Sequence, residues 1–126
     1  MSHPRVVNVR KAVMWDVYAG RGRCPCGLRG GCQHASASRF GNPFTLAEHG
    51  PQAMRLYLDW LAAEPETWGP GSKTVDRARR ELPGKVLGCW CAPGPCHAEV
   101  LARLADGESL GEIRSDMLKT CGLAVQ

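Results

Sequence analysis

The residues best suited to chemistry are Cys96 and His97, which end the run Gly-Cys-Trp-Cys-Ala-Pro-Gly-Pro-Cys-His from residue 88 to residue 97. A thiolate is a strong nucleophile, and a helix N-terminus or a neighbouring imidazole favours its formation. Pro95 favours the start of a helix, because proline is preferred at the first helical position. We predict that Cys96 is a nucleophile or proton carrier, that His97 assists it, and that Cys91 lies close by.

The same turn is suited to binding an anion. If Pro95 is the first helical residue, the backbone N–H groups of Cys96, His97 and Ala98 have no partner within the helix. Such groups, together with the positive end of the helix dipole, bind phosphate or carboxylate. This pattern predicts an anionic small-molecule ligand.

Zinc binding at this segment is an alternative, because its three cysteines and its histidine are all zinc-type ligands. Adjacent helical residues such as Cys96 and His97, however, point about 100° apart and seldom bind one metal together. Cys89 and Cys91 are two residues apart on a predicted strand, so their thiols share one face. We interpret Cys89 as a small buried residue.

A second group of zinc-type ligands lies in a loop insertion over residues 23–38. Four ligands fall within eleven residues: Cys24, Cys26, Cys32 and His34. Their spacing departs from the usual pair of cysteines separated by two residues. We predict a structural zinc ion here, with a loop of exposed thiols, or a zinc shared with Cys89 or Cys91, as alternatives.

Two glycine-containing turns add candidate ligand-binding residues. The run Gly20, Arg21 and Gly22 follows a predicted strand, so its backbone can approach a ligand while the guanidinium binds phosphate or carboxylate. The run Gly-Asn-Pro-Phe begins at Gly41, and the amide of Asn42 can donate to and accept from a base. We predict that these five residues bind the ligand, with purely structural turns as the alternative.

The scaffold for these residues is predicted from hydrophobic spacing. Residues 6–9 and 13–18 favour two short strands that can pair with each other, and residues 85–91 favour a buried central strand. Helices are expected over residues 51–64, over 72–82 with Ser72 as N-cap, from Pro95 to Gly107, and weakly over 109–126. The pattern indicates a small α/β domain with a short mixed sheet and about three main helices.

Length and composition support a single domain. The 126-residue chain has a net charge of +4 and seven cysteines. It shows neither a run long enough to span a membrane nor the apolar core of a secretory signal, so we expect a cytoplasmic protein whose cysteines serve metal binding or catalysis. Basic residues including Lys73, Arg77 and Arg80 permit contact with nucleic acid.

Three runs together resemble domain of unknown function family 4326, which is common in phages and bacteria. They are Tyr-Ala-Gly-Arg-Gly from residue 18, Arg-Phe-Gly-Asn-Pro-Phe from residue 39, and the run 88–97. The resemblance covers roughly residues 5–106, and the cysteine loop departs from the family pattern. It implies a shared core of Gly20, Arg21, Gly22, Gly41, Asn42, Pro43, Cys91, Cys96 and His97. The order of strands and helices also resembles nucleotide-binding Rossmann-like folds.

The leading hypothesis is that this domain binds a nucleotide, nucleoside or modified base and acts on it by hydrolysis or glycosyl transfer. The competing hypothesis is a non-enzymatic, zinc-stabilised protein that binds nucleic acid through its basic helix. A third is an interaction protein with a structural metal and no small ligand.

Overall fold

A computed structural model describes residues 4–10, 15–19, 49–50, 52–66, 69, 71–89 and 96–123. Within them the elements, in chain order, are β1 (Val6–Asn8), β2 (Val17–Tyr18), α1 (Gln52–Ala63), α2 (Thr74–Glu81), β3 (Leu87–Cys89), α3 (His97–Ala105) and α4 (Leu110–Thr120). The chain therefore forms a small α/β domain, as predicted. None of the helices in these ranges has the length and apolar character needed to cross a membrane.

The strand β3 is the centre of a three-stranded sheet with the order β1-β3-β2. Both outer strands run parallel to it, and Val6 and Val17 lie on either side of Leu87. The predicted central position of residues 85–91 is confirmed at these three strand residues. The predicted pairing of the first two strands with each other is wrong, because each forms its hydrogen bonds with β3. The expected mixed sheet is also wrong for the described strands, which are all parallel.

The two faces of β3 pack differently. On one face, a Cβ added to Gly88 would lie 2.8 Å from Cγ of Trp15 and 2.8 Å from Cγ1 of Val9, so only glycine fits there. Leu87 and Cys89 point to the other face, since successive strand residues alternate, and both are 0% exposed. They join the main hydrophobic core formed with the helices.

Helix α3 is the centre of the helical layer. It packs on β1 and β3, α2 and α4 pack on it, and α1 packs on α4. The predicted apolar face of α1 is confirmed by the burial of Met54, Tyr57, Leu58 and Leu61. The weakly predicted helix over residues 109–126 is α4, which buries three side chains, and Oγ of its N-cap Ser109 accepts a hydrogen bond from the Glu112 N–H at 3.2 Å.

The start of α2 differs from the prediction. Its N-cap is Lys73 and not Ser72, and Lys73 makes no capping hydrogen bond with its side chain. The carboxylate of Glu64, which follows α1, takes this role: it accepts from the Thr74 N–H at 2.7 Å and from the Thr74 hydroxyl at 3.1 Å. A carboxylate suits this position because a helix N-terminus carries partial positive charge.

The C-terminal end of α3 is fixed to its neighbours by Arg5. Its Nη1 donates to the carbonyl oxygens of Leu82 at 3.2 Å and Lys85 at 2.8 Å. Its Nη2 donates to the carbonyl oxygen of Ala102 at 3.2 Å and to Oδ1 of Asp106 at 2.5 Å. One guanidinium thus satisfies main-chain acceptors at the ends of both α2 and α3.

A second arginine, Arg103, joins the same end of α3 to α4. Its Nε lies 3.0 Å from each carboxylate oxygen of Glu108, and its Nη2 donates to Oδ2 of Asp116 at 2.7 Å. The hydrogen bond and the charge of Arg103 lower the pKa of Asp116. The pKa of Arg103 is raised, chiefly by its hydrogen bonds with Glu108.

Candidate functional site

Cys96 and His97 lie at the N-terminal end of α3, as predicted. Cys96 is the N-cap, with extended backbone angles of φ −147° and ψ 145°, and His97 is the first helical residue. The expectation that Pro95 begins the helix is therefore wrong, because the backbone turns into the helix only after Cys96. The amides of the first turn belong to His97, Ala98 and Glu99, and the Glu99 N–H donates to the carbonyl oxygen of Cys96 at 3.0 Å.

The imidazole of His97 connects α3 to the end of β2. Its Nε2 forms a hydrogen bond with the carbonyl oxygen of Ala19. Because a carbonyl oxygen can only accept, Nε2 carries the proton, and Nδ1 of the neutral ring is an acceptor. This Nδ1 lies 3.8 Å from Sγ of Cys96, within the distance of a hydrogen bond to sulfur. The orientation of the ring suits Nδ1 to take the thiol proton.

The partner residue Ala19 brings a second predicted motif to this place. It continues β2, since its N–H donates to the carbonyl oxygen of Gly88 at 2.8 Å, and it is completely buried. In the sequence it directly precedes Gly20 and Arg21. The residue that precedes the Gly-Arg-Gly run in the sequence, Ala19, is therefore in contact with His97.

Cys96 itself is buried. Its residue is 2% exposed and belongs to the main hydrophobic core. Cys89, which we interpreted as a small buried residue, is completely buried in the central strand. The third described cysteine, Cys121, is half-buried, and burial together with the charge of Glu99 raises its pKa.

Tyr57 of α1 is a neighbour of this pair that the sequence analysis assigned only to the core. Its ring meets the His97 ring edge-on, with centroids 5.6 Å apart and an interplanar angle of 79°, and stacks on Trp60 at 6.0 Å. The side chain is completely buried, and its hydroxyl has no hydrogen-bond partner within the described part of the chain. Burial, Cys96 and Glu64 raise the pKa of Tyr57 far above its ordinary value, so it stays protonated.

The sequence pattern gives little indication that Tyr57 lies beside His97. Its spacing along α1 is that of a core residue, and core tyrosines normally find a partner for the hydroxyl. Only the packing of α1 beside the start of α3 places it next to His97. A hydroxyl at a fully buried helix position was the one available signal.

The remaining predicted site residues lie outside the described residues. They are Gly20, Arg21, Gly22, Gly41, Asn42 and Cys91 for the ligand site, and Cys24, Cys26, Cys32 and His34 for zinc. Over the ranges that the structure describes, no three potential metal-ligating side chains come together. The zinc site stays a prediction.

The basic residues proposed to contact nucleic acid lie on and before α2. Arg77 Nε and Arg80 Nη2 are 3.5 Å and 3.6 Å from the same carboxylate oxygen, Oε2 of Glu81. Arg80 also donates to the carbonyl oxygen of Gly71 at 3.2 Å. Arg77 and Arg80 therefore contact acceptors of this same chain. The nucleic-acid hypothesis has less support than the Cys96 site for that reason.

A family model matches most of this chain. The model of the family described as Domain of unknown function (DUF4326) matches residues 6–107. No curated protein and no solved structure matches the chain. The matched segment begins with β1 and includes all of α3, so both Ala19 and the Cys96–His97 pair fall within it.

Proposed function

This chain belongs to the DUF4326 family, and we propose that its Cys96–His97 site binds a nucleotide-type ligand and acts on it chemically. The observation that carries the proposal is the hydrogen bond from His97 Nε2 to the Ala19 carbonyl oxygen. This bond directs Nδ1 toward the thiol at 3.8 Å. A thiol beside an oriented imidazole is the arrangement that activates cysteine as a nucleophile.

The location supports binding of an anionic group. In open parallel sheets, ligands bind beyond the carboxyl ends of the strands, and Ala19 and Cys96 both follow strands at that edge. The first turn of α3 offers backbone N–H groups and the positive end of the helix dipole. We propose that Arg21 and this turn hold the anion and that Asn42 contacts the base or sugar. The parallel strands followed by α3 also support a Rossmann-like arrangement.

The proposed reaction uses Cys96, His97, the ligand, and water or a second acceptor. Nδ1 of His97 takes the proton of Cys96, and the thiolate forms a bond to an electrophilic ligand carbon, such as the carbon that bears the base. The bond from that carbon to the leaving group breaks, and the leaving group receives the proton from Nδ1. Water or a second acceptor then displaces the sulfur, which gives hydrolysis or glycosyl transfer respectively.

The test is a panel of nucleotides, nucleosides and bases, screened by thermal shift and by chromatography of the products. A ligand should raise the melting temperature of the wild type and of Cys96→Ser, because the serine protein keeps the binding groups, while only the wild type forms product. Cys121→Ser is the matched control and should retain both properties. A panel that shifts no melting temperature would remove the proposal, and full turnover by Cys96→Ser would remove the role of the thiol.

The proposed structural zinc has a separate test. Native mass spectrometry with elemental analysis of reduced, freshly purified protein should find one zinc ion per chain. The ion should be lost in Cys26→Ser and kept in Cys96→Ser, since the proposed ligands are Cys24, Cys26, Cys32 and His34. Zinc lost only in Cys96→Ser would instead move the metal to the start of α3.

A further inference from the structure

We propose that Tyr57 is a positioning residue of the candidate site, and that its ring holds the imidazole of His97 in the orientation that directs Nδ1 toward Cys96. The two rings meet edge-on, with centroids 5.6 Å apart and an interplanar angle of 79°. This role rests on the proposed function in one respect only, which is that the orientation of His97 serves the chemistry of Cys96. The ring contact itself is present without a ligand and can be tested without one.

The hydrogen bond from His97 to Ala19 leaves the tilt of the imidazole loosely defined. It holds Nε2 close to the carbonyl oxygen, but a carbonyl oxygen accepts from a broad range of directions. The distance from Nδ1 to Sγ of Cys96 is 3.8 Å, which is long even for a hydrogen bond to sulfur. A modest tilt of the ring about Nε2 therefore carries Nδ1 out of reach of the thiol. A constant orientation needs a further contact that limits this tilt.

Tyr57 can limit the tilt because its own ring is fixed. The side chain is completely buried on the inner face of α1, and a large side chain in a closely packed interior has little room to move. It also stacks on Trp60, with centroids 6.0 Å apart and an interplanar angle of 23°. The helix that carries both rings is attached to α4 by an ion pair, in which Nη2 of Arg114 lies 3.2 Å from Oδ1 of Asp59. The Tyr57 ring is thus a rigid neighbour of His97.

The edge-on form of the contact is what gives it an orienting effect. Aromatic rings prefer edge-on or offset arrangements at centroid distances of about 4.5–7 Å, and such a pair adds a directional attraction to the burial of its area. The pair of Tyr57 and His97 lies within this range. The hydrogen bond to Ala19 then fixes the place of Nε2, and the ring contact fixes the tilt. Together they keep Nδ1 on the side of Cys96.

The test is the exchange of the His97 Nε2 proton with water, measured by NMR on isotope-labelled protein without ligand. This proton exchanges when the ring leaves the Ala19 carbonyl oxygen, so its rate reports how often the orientation is broken. The signal is identified by its absence in His97→Ala. In Tyr57→Leu we expect exchange about twofold to tenfold faster than in the wild type, because the directional ring contact is lost. In Tyr57→Phe, which keeps the ring, the rate should be unchanged.

Two further variants separate this role from a general loosening of α1. Leu61→Ala is the matched control, because Leu61 lies about one turn after Tyr57 on the same buried face and is 2% exposed. It should lower the melting temperature by leaving a cavity, and it should not change the exchange of the His97 proton. Trp60→Leu removes the ring on which Tyr57 stacks, at a position that is only partly buried. Its exchange should be faster than that of the wild type, but slower than that of Tyr57→Leu.

The inference is overturned if Tyr57→Leu exchanges at the wild-type rate, or if Leu61→Ala raises the rate as much as Tyr57→Leu does. Should Tyr57→Leu fail to fold, an unchanged rate in Trp60→Leu has the same meaning. A wild-type proton that exchanges too fast to be observed also overturns it, since the imidazole is then not held. None of these results depends on a nucleotide, so a failure of the ligand panel and a failure of this inference are distinguishable.

Discussion

The two ends of α3 are built in opposite ways. At the C-terminal end, Arg5 and Arg103 donate hydrogen bonds to carbonyl and carboxylate acceptors at the ends of α2 and α3 and in α4. At the N-terminal end, a buried thiol and an imidazole lie beside a phenol whose hydroxyl has no hydrogen-bond partner in the described residues. The first end is arranged for stability, whereas the second keeps polar groups that a packed core would do better without.

The difference indicates where in this domain to look for function. Polar groups in stabilising networks are satisfied, because an unsatisfied buried group costs roughly 1–3 kcal/mol. A functional site tolerates that cost, since its groups are arranged for a ligand or a reaction and not for the fold. Substitutions at the C-terminal end should therefore lower stability, and substitutions at the N-terminal end should change chemistry.

The largest effect on stability is expected for Arg5→Met. The change removes a donor from three main-chain carbonyl oxygens and from Asp106, and Arg5 is only 20% exposed. The carbonyl oxygens of Leu82 and Ala102 keep a second donor, which is the N–H of Lys85 and of Asp106 respectively. We expect the free energy of unfolding to fall by about 2–3 kcal/mol, measured by denaturant titration. Arg80→Met is the matched control, because its side chain is 59% exposed, and it should cost well under half as much. Equal losses of unfolding free energy in the two variants would contradict the stabilising role assigned to the C-terminal end of α3.

A smaller loss is expected for His97→Ala at the other end. The alanine protein loses one hydrogen bond to Ala19 and the edge contact with Tyr57, which together stabilise the fold by about 1–2 kcal/mol. Denaturant titration should place it between wild type and Arg5→Met. A loss as large as that of Arg5→Met would show that the imidazole mainly supports the fold, and that the two ends of α3 do not differ in kind.

Cys96→Ser should change stability least of the substitutions at the N-terminal end. Serine is close to cysteine in size, but its hydroxyl oxygen would lie beyond hydrogen-bond distance of Nδ1 of His97, since the longer thiol already leaves Sγ 3.8 Å away. We expect about 1 kcal/mol of destabilisation by the same titration, because a hydroxyl then lies at a position that is 2% exposed. All thiol chemistry at this position is lost in the variant. A loss of several kcal/mol would mean that Cys96 is a packing residue of the core.

Local sequence patterns predict the helices and strands of this fold better than they predict which strands pair with each other. The spacing of Met54, Leu58 and Leu61 predicts α1, and the short apolar run around Leu87 predicts a buried strand, since both signals are contained within one segment. The identity of the strand to which a given strand hydrogen-bonds is not contained within one segment. The sequence predicts that residues 6–9 and 13–18 can pair with each other, yet Val6 and Val17 both pair with Leu87, which is 81 and 70 residues further along the chain respectively.

The candidate site shows the same difference between features contained in one segment and contacts between distant segments. The position of Cys96 and His97 at a helix N-terminus could be predicted, because the strand-to-helix pattern occurs within ten consecutive residues. The bond from His97 to Ala19 could not, since it joins residues 78 positions apart. Tyr57 was missed for the same reason, and so was the capping of Thr74 by Glu64, where Ser72 looked sufficient from the sequence.

The smallest effect concerns the acid side of the stability curve. Arg103 lowers the pKa of Asp116 below its ordinary value, so the folded protein keeps this carboxylate ionised at a pH where the unfolded chain takes up a proton. Its stabilisation is present above the unfolded pKa and is lost as the pH falls through the lowered folded pKa. The free energy of unfolding of Asp116→Asn should therefore fall less steeply below about pH 4 than that of the wild type, and the two curves should converge in acid. Because Asp116 is 58% exposed, 1 M salt should shrink the difference. Parallel curves would show that the ion pair of Arg103 with Asp116 adds nothing measurable to the stability of the C-terminal end of α3.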